Sequence, residues 1–304
     1  MKYIQALWAI IASACLVACS NTPEPVQLDT VKEGKPALWK VTGTKAEQKG
    51  SAYLFGTIHI LPKGVNWRTA AIEEAISDSD QLVIEVLGLE DTQNAAKIFA
   101  KLAISPNQPE IEKRIKPSLR DDLDAVIDKS NIPEFALNRM ESWAAALSLA
   151  SAQTNALGLD SSEGVEKKLV AQFGELKKPV EGLESIEQQL GYFDTLPESQ
   201  QRDMLTSVVE EAADTKDSFE KLFNAWISGD TDEIVELSKG GILEDPKTRE
   251  KLLISRNKDW SEQLDKKMQG PGISFVAVGA AHLVGPDAVQ NMLETRGYKI
   301  EKIQ

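Results

Sequence analysis

The sequence predicts an α/β fold: one domain with a central sheet formed from two related β-loop-α-β units at the N- and C-terminal ends, and a large helical insertion between them. Three observations carry this. Short apolar runs of strand type gather at the two ends of the chain, whereas most of Asp91 to Lys267 has helical spacing. Two of the strand-type runs close on the same Gly-x-x-His arrangement, and each is followed by a Pro/Gly turn, a helical stretch and another strand.

In order, Ala37–Val41 and Ser51–Ile58 flank a polar, Lys/Gly-containing loop and read as a hairpin. Arg68–Ser77 has helical spacing, and Gln81–Leu87 contains the buried-strand run Leu-Val-Ile-Glu-Val-Leu. Helical patterns follow at Ser118–Asp128, Pro133–Leu157, Val165–Phe173 and Leu205–Ile227, interrupted by an extended piece at Lys178–Leu183. Strand Ile273–Val278, helix Pro286–Thr295 and strand Tyr298–Ile303 close the chain. The Ala-rich run Trp143–Ala152 is core by its spacing, and the acid-rich stretches Asp121–Asp128 and Glu210–Asp217 read as solvated faces or turns.

Composition narrows the function. The 304 residues are 42% hydrophobic and 27% charged, enough to build a core, and 34 Lys plus Arg stand against 47 Asp plus Glu. A net charge of -13 argues against nucleic acid or an anionic membrane surface as the main partner. The tryptophans are scattered and form no stacking platform. Two cysteines and two histidines exclude Cys-rich zinc modules and disulfide scaffolds.

Met1-Lys2 opens an apolar stretch, Tyr3 to Val17, too short to span a bilayer and of the length of a signal-peptide core. It ends Leu16-Val17-Ala18-Cys19, which resembles the lipobox of bacterial lipoproteins. The resemblance implies a signal peptide over 1–18 and lipid on Cys19. A flexible tether then covers 19–35 and the folded domain 36–304, at the envelope of a bacterial cell. Ser20, where an aspartate would favour inner-membrane retention, points to the outer membrane, facing the periplasm.

The histidines carry the chemistry. Glycine is 19 of 304 residues, so finding one three places before both His59 and His282 is a rare coincidence. Gly56 and Gly279 allow a sharp turn or a close approach at the end of a strand, where open α/β sheets bind ligands. Two imidazoles make a poor metal site without a carboxylate. Glu85, a charge inside an apolar strand, is costly unless paired, hydrogen-bonded or metal-bound, and is the first choice; Glu181 and Glu184 are weaker ones. Arg256 and Asn257 place a cation and an amide on a helix.

The paired Gly56–His59 and Gly279–His282 motifs resemble the TraB/GumN family, which includes the Tiki proteases. So do Leu54–His59, Val83–Glu85, Gly158–Asp160, Lys178–Glu184 with Gln188–Leu190, Arg256–Asn257 and Val278–Gly285. The resemblance runs from about Pro36 to the C-terminus. It implies a metal-dependent hydrolase, a peptidase acting on a peptide or protein substrate, with a divalent ion (Mn, Co or Zn). His59, His282 and Glu85 would be its ligands, or Glu85 the general base, and Arg256 and Asn257 would steady the oxyanion. No His-Glu-x-x-His helix is present, so ligands would come from distant strands. Two alternatives stand beside this: a non-catalytic lipoprotein binding haem or metal through the histidines, and a metal-independent hydrolase using His59 as base with Glu85.

Overall fold

The computed structural model describes residues 34–159 and 163–304; the leader, Cys19 and nearly all of the expected tether lie outside the described residues. The strands are β1 Leu38–Gly43, β2 Ser51–Thr57, β3 Gln81–Val86, β4 Val180–Glu184, β5 Ile273–Gly279 and β6 Tyr298–Lys302. They form one mixed sheet in the order β4-β3-β5-β2-β1-β6. β1 runs antiparallel to β2 and β6, while β2·β5, β3·β5 and β3·β4 pair in parallel. The α/β reading therefore holds as a single domain.

Alternation along the strands decides which helix covers which face. Tyr53, Phe55, Leu82, Ile84 and Phe275 share a core with Ile72, Ala75 and Ile76 of α1, Ala70–Asp78. Leu54, Val83, Val276 and Val278 point the other way, onto α12, Ser255–Met268, and α13, Val289–Thr295. The two end units interlock accordingly. The β2-α1-β3 unit passes over β5 on one face, and β5-α13-β6 passes over β2 and β1 on the other.

Gly56 sits where the two units touch. A Cβ there would lie 3.1 Å from Ala280 Cα, and the Gly56 carbonyl accepts Trp226 Nε1 at 2.7 Å. The glycine of the first motif is therefore a close approach to the second motif's backbone. Gly56→Ala is expected to cost about 1–3 kcal/mol by overpacking. Gly174→Ala, with nothing within 4 Å of the new Cβ, is expected to be neutral or stabilising. Urea midpoints of the two variants check this, and equal midpoints would contradict it.

The insertion comprises α2 Thr92–Ala103, α3 Arg120–Ser130, α4 Glu134–Leu137, α5 Ser142–Ala156, α6 Val165–Glu175 and α7 Ile186–Asp194. After these come α8 Glu198–Glu210, α9 Thr215–Ser228, α10 Thr231–Leu237 and α11 Pro246–Arg249, then a π-helical turn, Glu250–Ile254, that runs into α12. Much of it has its own core around Trp143, which packs edge-on to Phe99 and stacks on Phe193.

Two helices expected to be continuous are broken. The 133–157 pattern stops after α4 because tertiary bonds capture its backbone: Arg114 donates to Met140 O at 2.5 Å and Asn138 O at 3.0 Å, and Glu141 N bonds Ala103 O. The 205–227 pattern breaks between α8 and α9, around Glu211. That acid run was expected to be solvated, but Glu211 is buried; burial, then Glu210, Asp214 and Glu244, pushes its carboxyl up to about 8.

Candidate active site

The sheet brings four sequence-predicted groups together at the carboxyl edge of its parallel strands, where α/β sheets bind ligands. His59 lies just past β2 and His282 just past β5, Glu85 is on β3, and Arg256 is in the first turn of α12. All are buried: His59 is 7% exposed, Glu85 2%, Arg256 1% and His282 0%.

His59 is held by a residue that the sequence reading passed over. Its Nδ1 lies 2.7 Å from Glu166 Oε1, and Thr57 Oγ1 donates to the same oxygen. Glu166 stands in the first turn of α6, where backbone N–H groups favour a carboxylate. Val165 N bonds the Ile58 carbonyl at 3.3 Å, which fixes that turn against the His59 loop. Burial opposes charge on His59, but Glu166, with a smaller contribution from Glu85, outweighs it and raises the pKa to about 9. His59 Nε2 is buried and has no hydrogen-bond partner among the described residues.

Arg256 is a hub of a different kind. Its Nε and Nη2 bond Glu184 at 2.8 and 2.9 Å, and Nη2 also bonds Glu85 Oε1 at 2.7 Å. Nη1 donates to the Leu252 carbonyl of the π turn and faces His282 Nε2 at 3.4 Å. Tyr192 and Trp260 place their rings over the guanidinium. Every N–H of the fork is thereby occupied, which leaves Arg256 no donor for an oxyanion. Asn257 is committed too: its Nδ2 bonds Asp287 O and its Oδ1 faces His282 Nδ1.

Glu85 shares the face of β3 that carries Val83, toward α12. It accepts from Gln189 at 2.7 Å and Arg256 at 2.7 Å, and from the Gly279 backbone N–H at 3.2 Å. Burial opposes its charge, but Arg256 prevails and holds it at about 2, too acidic for an efficient base at neutral pH. Burial pushes Glu184 up despite its bonds to Arg256 and Trp260. Burial and then Arg256 drive His282 down to about 3, so it is neutral, with its proton on Nδ1 toward Asn257. Glu181, by contrast, is an exposed partner of Lys267.

The expected metal set fits only in part. Both imidazoles have Nδ1 held by an outer partner, as metal-binding histidines do. The carboxylate does not fit, because the Arg256 guanidinium lies against Glu85 and its oxygens are engaged. Among the described residues, no group of three or more His, Cys, Asp or Glu side chains is placed to hold an ion.

A family model, the TraB/PrgY/gumN family, matches residues 37–302, nearly all of the folded chain. The chain belongs to the TraB/PrgY/gumN family. This TraB-family chain is similar to an uncharacterized protein of Treponema pallidum, 23% identical over 92% of this chain and 87% of the relative. It is similar to YbaP of Shigella flexneri, 23% identical over 86% of this chain and 94% of the relative, and to YbaP of Escherichia coli K12, 23% identical over 79% and 87%. All three are named as uncharacterized proteins. No solved structure matches. Family stretches that read as motifs have plain work here. Lys178 Nζ bonds the Ile76 and Ser77 carbonyls at the end of α1, and Gln188 completes a capping box with Ser185 that presents Gln189 to Glu85.

Proposed function

We propose that this TraB-family protein is a hydrolase of peptide or related acyl bonds in which His59, steadied by Glu166, moves the protons. The observation that supports it is His59 Nε2, buried and without a hydrogen-bond partner among the described residues, behind an Nδ1 held by a carboxylate. That pairing is the arrangement of general acid–base catalysis. Neutral His59 takes a proton from water at Nε2 as the water oxygen attacks the substrate carbonyl carbon. The imidazolium returns that proton to the leaving nitrogen or oxygen as the tetrahedral intermediate collapses. A pKa of about 9 makes the neutral form scarcer as pH falls, so the base-catalysed rate rises with pH up to that value. Arg256, Glu85 and Glu184 form the charged floor beneath, and Asn257 holds the His282 tautomer. With Cys19 lipidated, the enzyme would be anchored at the bacterial outer membrane and face the periplasm.

One observation favours a second reading, metal-assisted hydrolysis: the Nδ1 anchoring common to both histidines. The test is turnover of a mixed peptide library, and of a nitrophenyl ester, by the full chain in detergent. Chelator is added, then Mn, Co or Zn, beside His59→Gln. Turnover that survives the chelator and is lost in His59→Gln is expected. Turnover that dies with chelator and returns with metal would instead establish the metal reading. Stoichiometric haem or metal without turnover would leave the protein a binding lipoprotein.

A further inference from the structure

Between α8 and α9 the chain makes one short helical turn, Ala212–Asp214. Gln153 of α5 bridges the break: its Nε2 donates to the Val208 carbonyl at 3.4 Å, and its Oε1 accepts from Thr215 Oγ1 at 2.9 Å. Glu211 is the last residue before the turn. It is 9% exposed, yet among the described residues no hydrogen bond reaches its carboxyl. The charges that act on it all share its sign: Glu210 of α8, Asp214 of the turn, and Glu244 beside Gly241–Leu243, a turn packed on α8. α5, packed along α8, has no charged residue over Ser142–Ala156, and Lys216 of α9 is turned to Glu220. A carboxylate in this place is buried with neither a donor nor a counter-charge, which favours the neutral acid.

We propose that the α8–α9 junction is a pH-sensitive hinge, closed while Glu211 is protonated and loosened when Glu211 ionises and turns out to solvent, away from Glu210, Asp214 and Glu244. Loosening gives up the Gln153 bridge and frees the root of α9, the helix that carries Trp226 to the Gly56 carbonyl of the first histidine motif. In the open hinge Glu211 ionises near its ordinary value of 4.5, and in the closed one only near 8. The closed form therefore loses stability as pH rises between those values, and loses no more above them. The hinge does not depend on the chemistry proposed at His59.

The test is amide hydrogen exchange of the full chain in detergent, from about pH 5 to about pH 8, corrected for the intrinsic pH dependence of exchange, beside Glu211→Gln. Linkage allows up to about tenfold per pH unit, and the part of Glu211 that solvent reaches reduces it. Protection over 208–216 is expected to fall at least about tenfold across the range, relative to the buried stretch Trp143–Leu147 of α5. In Glu211→Gln it is expected to stay level within about twofold. The parent decides the matter even where Glu211→Gln fails to fold, because the α5 amides are its internal reference. Level protection at the junction of the parent, an equal fall in α5, or an equally steep fall in Glu211→Gln overturns the proposal.

Discussion

Arg256→Met is expected to destabilise the protein by about 3–5 kcal/mol, because it leaves two carboxylates buried without their cation. Glu85 and Glu184 both bond the guanidinium, and both are shielded from solvent. Methionine fills much of the arginine volume, so the loss reports charge more than cavity. The triple variant Arg256→Met/Glu85→Gln/Glu184→Gln removes the stranded charges and is expected to recover more than about 1 kcal/mol of it. Urea unfolding of the three proteins decides the matter; Arg256→Met within about 1 kcal/mol of the parent would contradict it.

The second large effect is on turnover. His59→Gln is expected to lower kcat by about 10²–10⁴, the usual worth of a positioned acid–base group. Glu166→Gln is expected to lower it too, and to shift the pH profile. Without the Glu166 charge, burial acts on His59 with less opposition, and the alkaline rise moves to lower pH. A merely structural role for Glu166 would lower activity at every pH and leave the profile where it was. A Glu166→Gln enzyme with the parent's rate and profile would refute the pairing as the source of catalysis.

Much of this architecture could be read from residue patterns, since both strand–Gly-x-x-His units and the hairpin rest on local alternation and turn chemistry. Glu85 was conspicuous because a charge within Leu82–Leu87 has nowhere cheap to go. Arg256 was visible as a cation on a helix, but the commitment of its whole fork to Glu85, Glu184 and Leu252 depends on three distant elements meeting. Glu166 was not legible. In a chain with 47 acidic residues, one glutamate in a first helical turn looks solvated until β2 and α6 are brought together. The break at 138–141 was hidden for a similar reason, since periodicity continues through residues whose backbone groups are captured from elsewhere.

Two histidines with matching sequence motifs have opposite electrostatic fates in the fold. His59 is raised to about 9, so its pairing stabilises the fold fully below its unfolded value of 6.5 and is lost as pH rises toward 9. His282 is depressed to about 3, so the fold loses stability as pH falls below 6.5 and the unfolded imidazole takes up a proton. The most direct measurement is an imidazole ¹⁵N NMR titration of the full chain, which contains only these two histidines, assigned with His59→Gln and His282→Gln. One imidazole, that of His59, is expected to titrate near pH 9, and that of His282 to stay neutral, with its proton on Nδ1, for as long as the protein remains folded on acidification. Two histidines titrating together near 6.5 would contradict it.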